Sequence, residues 1–293
     1  MEKSKDAFID IFDGDKAFAH LEFMESLGPR IPDSLAHTKL ENYIIDIGSK
    51  TKARFYKQEY FFNFCGKKTK FINLIYIFEG FGKNKKKILL GTHYDSRIIA
   101  DREENPDLKN KPIPGINDGG SGTAVFLEFL QIFDKYPLED DICIVFFDAE
   151  DIGLIDGYNF SEGAEYFAEN FTEFKPDEVI IIDMIGGRDA TYQVDYGALV
   201  TLESKFLLTE IWKCGLFLEF PQFSRNVNFD GSFFVCDHTP FVNRDIPAML
   251  LIDINYKWWH TQGDIVKNCS SDSLEAAGKT LLFYLYKLGE SIT

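Results

Sequence analysis

The sequence predicts an α/β fold, a three-layer sandwich in which helices flank a mixed, mainly parallel sheet. Two observations carry this. From Lys87 onward, apolar strand-like runs (KILLGTHYD, DICIVFFDAED, EVIIIDMIGG, IPAMLLIDI) alternate with stretches patterned as helices, which implies strands joined by helical crossovers. Ahead of them, ARFYKQEYFF and FINLIYIF follow one another with no helix between, which implies an antiparallel edge. A chain of 293 residues, 45% hydrophobic and 15% aromatic, is long and apolar enough to bury a large core.

The elements follow in order. KAFAHLEFMESLG has apolar residues at helical spacing and stops at Gly28. PDSLAHTKLENYIIDIG offers Asp33 and Ser34 as caps and stops at Gly48. The strand runs from residue 53 come next, with KNKKK at 83–87 as a basic turn. A polar loop over about 99–118 precedes the helix SGTAVFLEFLQIFDKY. Further helices are expected near 161–170, over ESKFLLTEIWKCG and over SDSLEAAGKTLLFYLYKLGE. No internal repeat or linker divides the chain.

Charge and composition narrow the function. A formal net charge of −16 argues against nucleic acid and anionic membrane as partners. No apolar run approaches the roughly 20 residues of a membrane span. The start, MEKSKDAFIDIFDGDKAF, shows no apolar signal-peptide core. Five scattered cysteines with no CxxC pair suggest neither a disulfide framework nor a cysteine zinc site. A cytoplasmic location is the expectation.

The residues able to do chemistry share one kind of position. His93 and Asp95 follow the strand KILLGT; Asp118 sits in GINDGGSG before a helix; Glu150 and Asp151 follow ICIVFFDA; Asp183 ends EVIIID; His260 comes shortly after AMLLIDI. Sites in open α/β sheets form at the carboxyl ends of the strands. Each residue also has an ordinary reading. Asp118 could simply cap a helix, adjacent acids such as Glu150 and Asp151 are usually solvated, and a lone histidine is more often structural. Asp183 is harder to dismiss, because a carboxylate in so apolar a run needs a partner. Five connections each delivering an acid or imidazole to one edge point to a shared site. Imidazole with carboxylate and no thiolate suits Zn²⁺. Asp95, two residues after His93, can orient that ring. Of the acids in EDIG, one can ligate while its neighbour stays free as a base. His20 and His37, on the N-terminal helices, read as surface or structural.

The ordered series HYDS, NDGGSG, FFDAED, IIDMIG, CDHTPF and WHTQGD resembles the zinc aminopeptidase and glutaminyl cyclase superfamily, from LGPRIPDS to the last helix. The resemblance implies a single zinc exopeptidase-like domain over residues 1–293 and a sheet of eight strands. It implies peptide N-termini as substrates. In its aminopeptidase branch it implies two zinc ions: Asp118 bridges, Asp151 and His260 complete one site, His93 and Asp183 the other. Glu150 is then the general base that activates water. It also implies a cis peptide bond at Asp118–Gly119. In its cyclase branch it implies one zinc, on Asp118, Asp151 and His260, and conversion of N-terminal glutamine to pyroglutamate with release of ammonia. Glu150 then moves the proton, and Asp183 holds the leaving nitrogen.

Trp259, directly before His260, resembles the pocket wall of the cyclases, and HYDS resembles them closely. CDHTPF departs from their Asp-Asp-His-x-Pro-Phe, whose first aspartate joins a proton-relay network: Cys236 stands in its place, and Asp237 matches the second and is a further catalytic candidate. A thiol is a weak donor and no substitute for a carboxylate. On balance the cyclase is the favoured reading and the two-metal aminopeptidase its alternative. Trp258 is expected to pack, and Asp264 to orient or cap the turn after His260.

Overall fold

A computed structural model describes residues 11–195, 197–223 and 234–288. The first ten residues of the expected N-terminal segment and the last two of the expected closing helix lie outside these. Helix α1, Gly14–Leu27, starts where the Asp13 carboxylate accepts from the backbone N–H groups of Asp15 and Lys16, and ends at Gly28. Helix α2, Leu35–Gly48, starts with the Ser34 hydroxyl accepting from the His37 N–H. Strands β1, Arg54–Phe64, and β2, Lys67–Phe78, form an antiparallel hairpin. Its two-residue turn, Cys65-Gly66, has both φ angles positive, at 51° and 75°, which matches the twist of the flanking strands.

Next come β3 (Lys87–His93), α3 (Gly120–Lys135), β4 (Asp141–Phe147), α4 (Glu162–Asn170), β5 (Glu178–Asp183), β6 (Gln193–Val194), α5 (Leu202–Phe217), α6 (Thr239–Val242), β7 (Ala248–Ile252) and α7 (Ser271–Leu285). One sheet of seven strands has the order β1-β2-β4-β3-β5-β7-β6. The four central strands are parallel, while β1 and β2 at one edge and β6 at the other run antiparallel. The sheet is therefore mixed and mainly parallel at its centre, as predicted. The strand count is a correction: seven among the described residues, not eight. The eight came from the family resemblance, and no eighth strand run was identified in the sequence; the helix expected over ESKFLLTEIWKCG forms as α5.

Alternate residues of each central strand enter opposite cores. Ile88, Leu90, Ile142, Ile144, Phe146, Ile180, Ile182, Met249 and Leu251 pack with α1, α2, α3, α5 and α7. Leu89, Cys143, Val145, Phe147, Val179, Ile181, Leu250 and Ile252 pack with α4 and α6. Both faces are dry, which is why these strands read as unbroken apolar runs. His20 and His37 are buried and structural: His20 meets Glu128 at 3.1 Å, and His37 meets Asp148 at 2.9 Å. All five cysteines are free. No helix among the described residues is long and apolar enough to cross a membrane.

Candidate metal centre

The carboxyl ends of the parallel strands deliver the side chains. β3 ends on His93 and β5 on Asp183. The turn after β4 carries Glu150 and Asp151, the turn into α3 carries Asp118, and the loop after β7 carries His260. Three non-glycine residues here adopt the left-handed region: Ala149 before Glu150 (φ 61°), Met184 after Asp183 (φ 48°) and His260 itself (φ 56°). Such conformations cost about 1–3 kcal/mol each and persist where the surroundings enforce them. The cis bond expected at Asp118–Gly119 is not present. That bond is trans, and Gly119, at φ 68° and ψ −37°, makes the reversal with its own torsions.

Asp118 is central. Its Oδ1 lies 3.1 Å from His93 Nε2, and its Oδ2 lies 3.7 Å from His260 Nε2. His93 Nε2 is 3.4 Å from Asp183 Oδ1, and His260 Nε2 is 3.5 Å from Asp151 Oδ1. Two buried triads result, His93–Asp118–Asp183 and Asp118–Asp151–His260. In each, the three donor atoms lie within 4.8 Å of one another. His93 Nε2, Asp118 Oδ2 and both Asp151 carboxylate oxygens are buried without a hydrogen-bond partner. Buried polar atoms are nearly always satisfied, so these four orphans, shared between the two triads, fit bound cations. Imidazole and carboxylate are the donors that zinc takes.

Outer residues hold these donors in place. The Asp95 carboxylate contacts His93 Nδ1 at 3.3 Å and accepts from the backbone N–H groups of Glu150 (3.3 Å) and Asp151 (3.0 Å). It thus ties β3 to the β4 turn. Asp264 accepts from the N–H groups of Asn117 (2.8 Å) and Asp118 (3.1 Å) and from the Tyr256 hydroxyl (3.1 Å). The expectation was that it orients or caps the turn after His260; its carboxylate bonds secure the Asp118 turn. Two residues escaped the sequence reading. Arg30, fully buried, donates to the carbonyls of Tyr94, Pro114 and Gly115, and Asp101 contacts His260 Nδ1 at 2.8 Å. Arg30 lies within the quoted LGPRIPDS stretch, a usable signal, whereas nothing local marks Asp101.

Charge in this pocket is strongly perturbed. Burial pushes the Asp118 carboxyl up to about 6, with Asp151 adding to the rise. Burial lifts Glu150 well above the usual carboxylate range. Burial pulls the imidazoles down, but their carboxylate neighbours outweigh it and raise both, His260 to about 9. Perturbed acids clustered in a cleft mark functional sites, and a divalent cation relieves the mutual repulsion of the carboxylates.

A cleft of about 360 Å³ opens onto Asp118, Glu150, Asp183 and His260. Its walls include Phe160, Phe234, Ile254, Cys236 and Trp259. The Trp259 ring lies against His260, with centroids 4.5 Å apart. Glu150 faces the cleft, and the Ser161 hydroxyl donates to it at 3.4 Å. Cys236 Sγ donates to Asp183 Oδ2 at 3.7 Å. Asp237 is not among the wall residues: it is fully buried, and neither carboxylate oxygen has a hydrogen-bond partner. Trp258 turns away and packs beside Gly263.

A mixed α/β sheet with two metal-capable triads sharing one aspartate defines the class of zinc-exopeptidase-like proteins. The sequence profile of Peptidase family M28 matches residues 73–285, and the chain belongs to that family. Its fold is similar to that of a Zn-dependent exopeptidase from Parabacteroides distasonis ATCC 8503, at 28% identity and a TM-score of 0.85 over 94% of this chain and 98% of that one. It is equally similar to the glutaminyl cyclase of Tannerella forsythia, again at 28% identity and 0.85 over 94% and 98%. Among curated proteins, Aminopeptidase YwaD of Bacillus subtilis (strain 168) is 26% identical over 214 residues, 70% of this chain. The chain spans 42% of the length of that relative.

Proposed function

We propose that the chain is a zinc-dependent glutaminyl-peptide cyclotransferase, converting the N-terminal glutamine of peptides to pyroglutamate with release of ammonia. The observation that carries the reading is Trp259, which lies against His260 and walls the cleft onto which Glu150 opens. The glutaminyl cyclase of Tannerella forsythia, alike along 98% of its own chain, supports it. Asp118, Asp151 and His260 would hold the zinc, which when bound would supply a Lewis acid for the side-chain amide carbonyl.

The protein's own groups do the rest. Glu150 takes a proton as the substrate α-amine attacks the amide carbon. It returns a proton to the departing nitrogen as the carbon–nitrogen bond breaks, and ammonia leaves. A carboxyl raised by burial suits both transfers. Asp183 accepts a hydrogen bond from the leaving nitrogen, and Cys236 steadies Asp183. Asp237, whose carboxyl burial pushes up to about 8, serves as the buried acid behind Glu150 and Asp183. Trp259, Phe160, Phe234 and Ile254 keep water out, because water attack would give glutamate instead of the lactam.

The second triad favours a second reading. His93, Asp118 and Asp183 are as compact a donor set as the first, which suits a two-zinc aminopeptidase in which Glu150 takes the proton of an attacking water. One experiment separates the two. Zinc-loaded protein is assayed for ammonia release from a glutaminyl dipeptide and for leucyl-anilide cleavage, with Glu150→Gln as the blank. Ammonia release lost in the variant supports the cyclase. Anilide cleavage without ammonia release replaces it with the aminopeptidase.

A further inference from the structure

We infer that Asp101, with Arg97 behind it, is the positioning residue for His260, and that the segment 97–103 is a clamp holding that metal-facing imidazole and Trp259 together. The inference rests on the proposed metal centre. Asp101 Oδ1 lies 2.8 Å from His260 Nδ1, and its Oδ2 accepts from the Arg97 guanidinium at 2.7 Å. Arg97 is in turn fixed: its side chain is 2% exposed, and it donates to the carbonyls of Asp151 (3.1 Å) and Gly153 (2.9 Å). One guanidinium therefore links the backbone of Asp151 to the carboxylate that grips His260, two donors of the same triad.

The rest of the segment grips the neighbours of His260. The Arg102 N–H donates to the His260 carbonyl at 3.3 Å, and the Arg102 guanidinium lies 4.0 Å from the Trp259 ring centroid. The Glu103 carboxylate accepts from the Gln262 N–H at 3.0 Å. These contacts surround the one triad donor that is itself left-handed, at φ 56°. A non-glycine residue in that region needs its surroundings to keep it there. The carboxylate also selects the tautomer a metal needs: with Nδ1 bearing the proton toward Asp101, the Nε2 lone pair is free for a cation shared with Asp118 and Asp151.

The test is zinc affinity, measured on the metal-free full chain with a competing chromophoric chelator. Wild type, Asp101→Asn, Asp101→Ala and His260→Ala are compared. His260→Ala identifies the binding step that belongs to its triad. Asp101→Ala weakens that same step by roughly 10–100-fold, the usual effect of removing such a partner. Asp101→Asn, which keeps a neutral acceptor, falls between it and wild type. Cobalt-loaded Asp101→Ala shows an altered visible absorption band, which loss of stability alone does not produce. Circular dichroism on each metal-free variant confirms that it is folded. Wild-type affinity in folded Asp101→Ala overturns the clamp while leaving the metal centre intact. Failure of wild type itself to bind zinc overturns both.

Discussion

Replacing Gly119 by alanine tests whether the turn before α3 needs a glycine for conformation, for space, or for both. Gly119 sits at φ 68°, and a Cβ there would lie 2.7 Å from Cε1 and Nδ1 of the buried His93 ring and 3.1 Å from the Asp95 carbonyl oxygen. The left-handed backbone costs an L-residue about 1–2 kcal/mol, and forcing a methyl into a packed site costs about 1–3 kcal/mol more. The sum is about 2–5 kcal/mol. Gly66, at the tip of the β1–β2 hairpin, has φ 75° and nothing within 4 Å of a built Cβ, so Gly66→Ala reads the conformational part alone. Urea unfolding of the metal-free variants gives both values. Gly119→Ala is expected to lose the larger amount, and also to weaken zinc binding, because the methyl displaces a candidate ligand ring. Equal losses in the two variants would refute the close-packing argument.

Four further outcomes are expected. Asp264→Ala strips the acceptor from two buried N–H groups and from the Tyr256 hydroxyl; it loses about 1–3 kcal/mol in urea unfolding. Trp259→Ala removes an aromatic wall worth about 1.5–3 kcal/mol of burial, so kcat/KM for a glutaminyl peptide falls about 10–100-fold with little change in unfolding midpoint. His37 feels burial pulling its pKa down, but Asp148 at 2.9 Å outweighs it and the value ends above 6.5. The ion pair then contributes stability fully below 6.5 and loses it as pH rises through the folded-state value; urea midpoints across that range should flatten in His37→Gln. Stripping zinc with a chelator should abolish turnover and lower the melting temperature, since a ligand bound only to the folded state stabilises it; turnover unaffected by metal removal would defeat the Lewis-acid role.

The sheet was legible because its central strands are buried on both faces, so IIID and IVFF stand out as short apolar blocks between helical spacings. His93, Asp151, Asp183 and His260 were legible because each ends or shortly follows a strand, where side chains from distant segments converge; Asp118 was legible from the glycine-rich turn that opens α3. Ser34 and Gly28 marked helix ends through local chemistry and did so in the fold. Long-range contacts left no such trace. Asp101 meets His260 across 159 residues of chain, and Arg30 reaches Pro114 and Gly115 across 84 and 85; the segment that carries Asp101 read only as a polar loop. His20 and His37 allowed a surface position on the helical pattern, yet both are buried, because Glu128 and Asp148 come from other elements to meet them. The eighth strand and the cis bond came with the resemblance, and neither was encoded in residues that local chemistry could check.

Both readings of the function require zinc to bind where Asp118, Asp151 and His260 converge. Crystals of the zinc-loaded full chain, measured at the zinc absorption edge, test it most directly. Zinc bound there gives an anomalous peak about 2.0–2.2 Å from these three side chains, and a second peak beside His93 and Asp183 would select the two-metal reading. No peak in this cleft, or zinc held only by other residues, would contradict it.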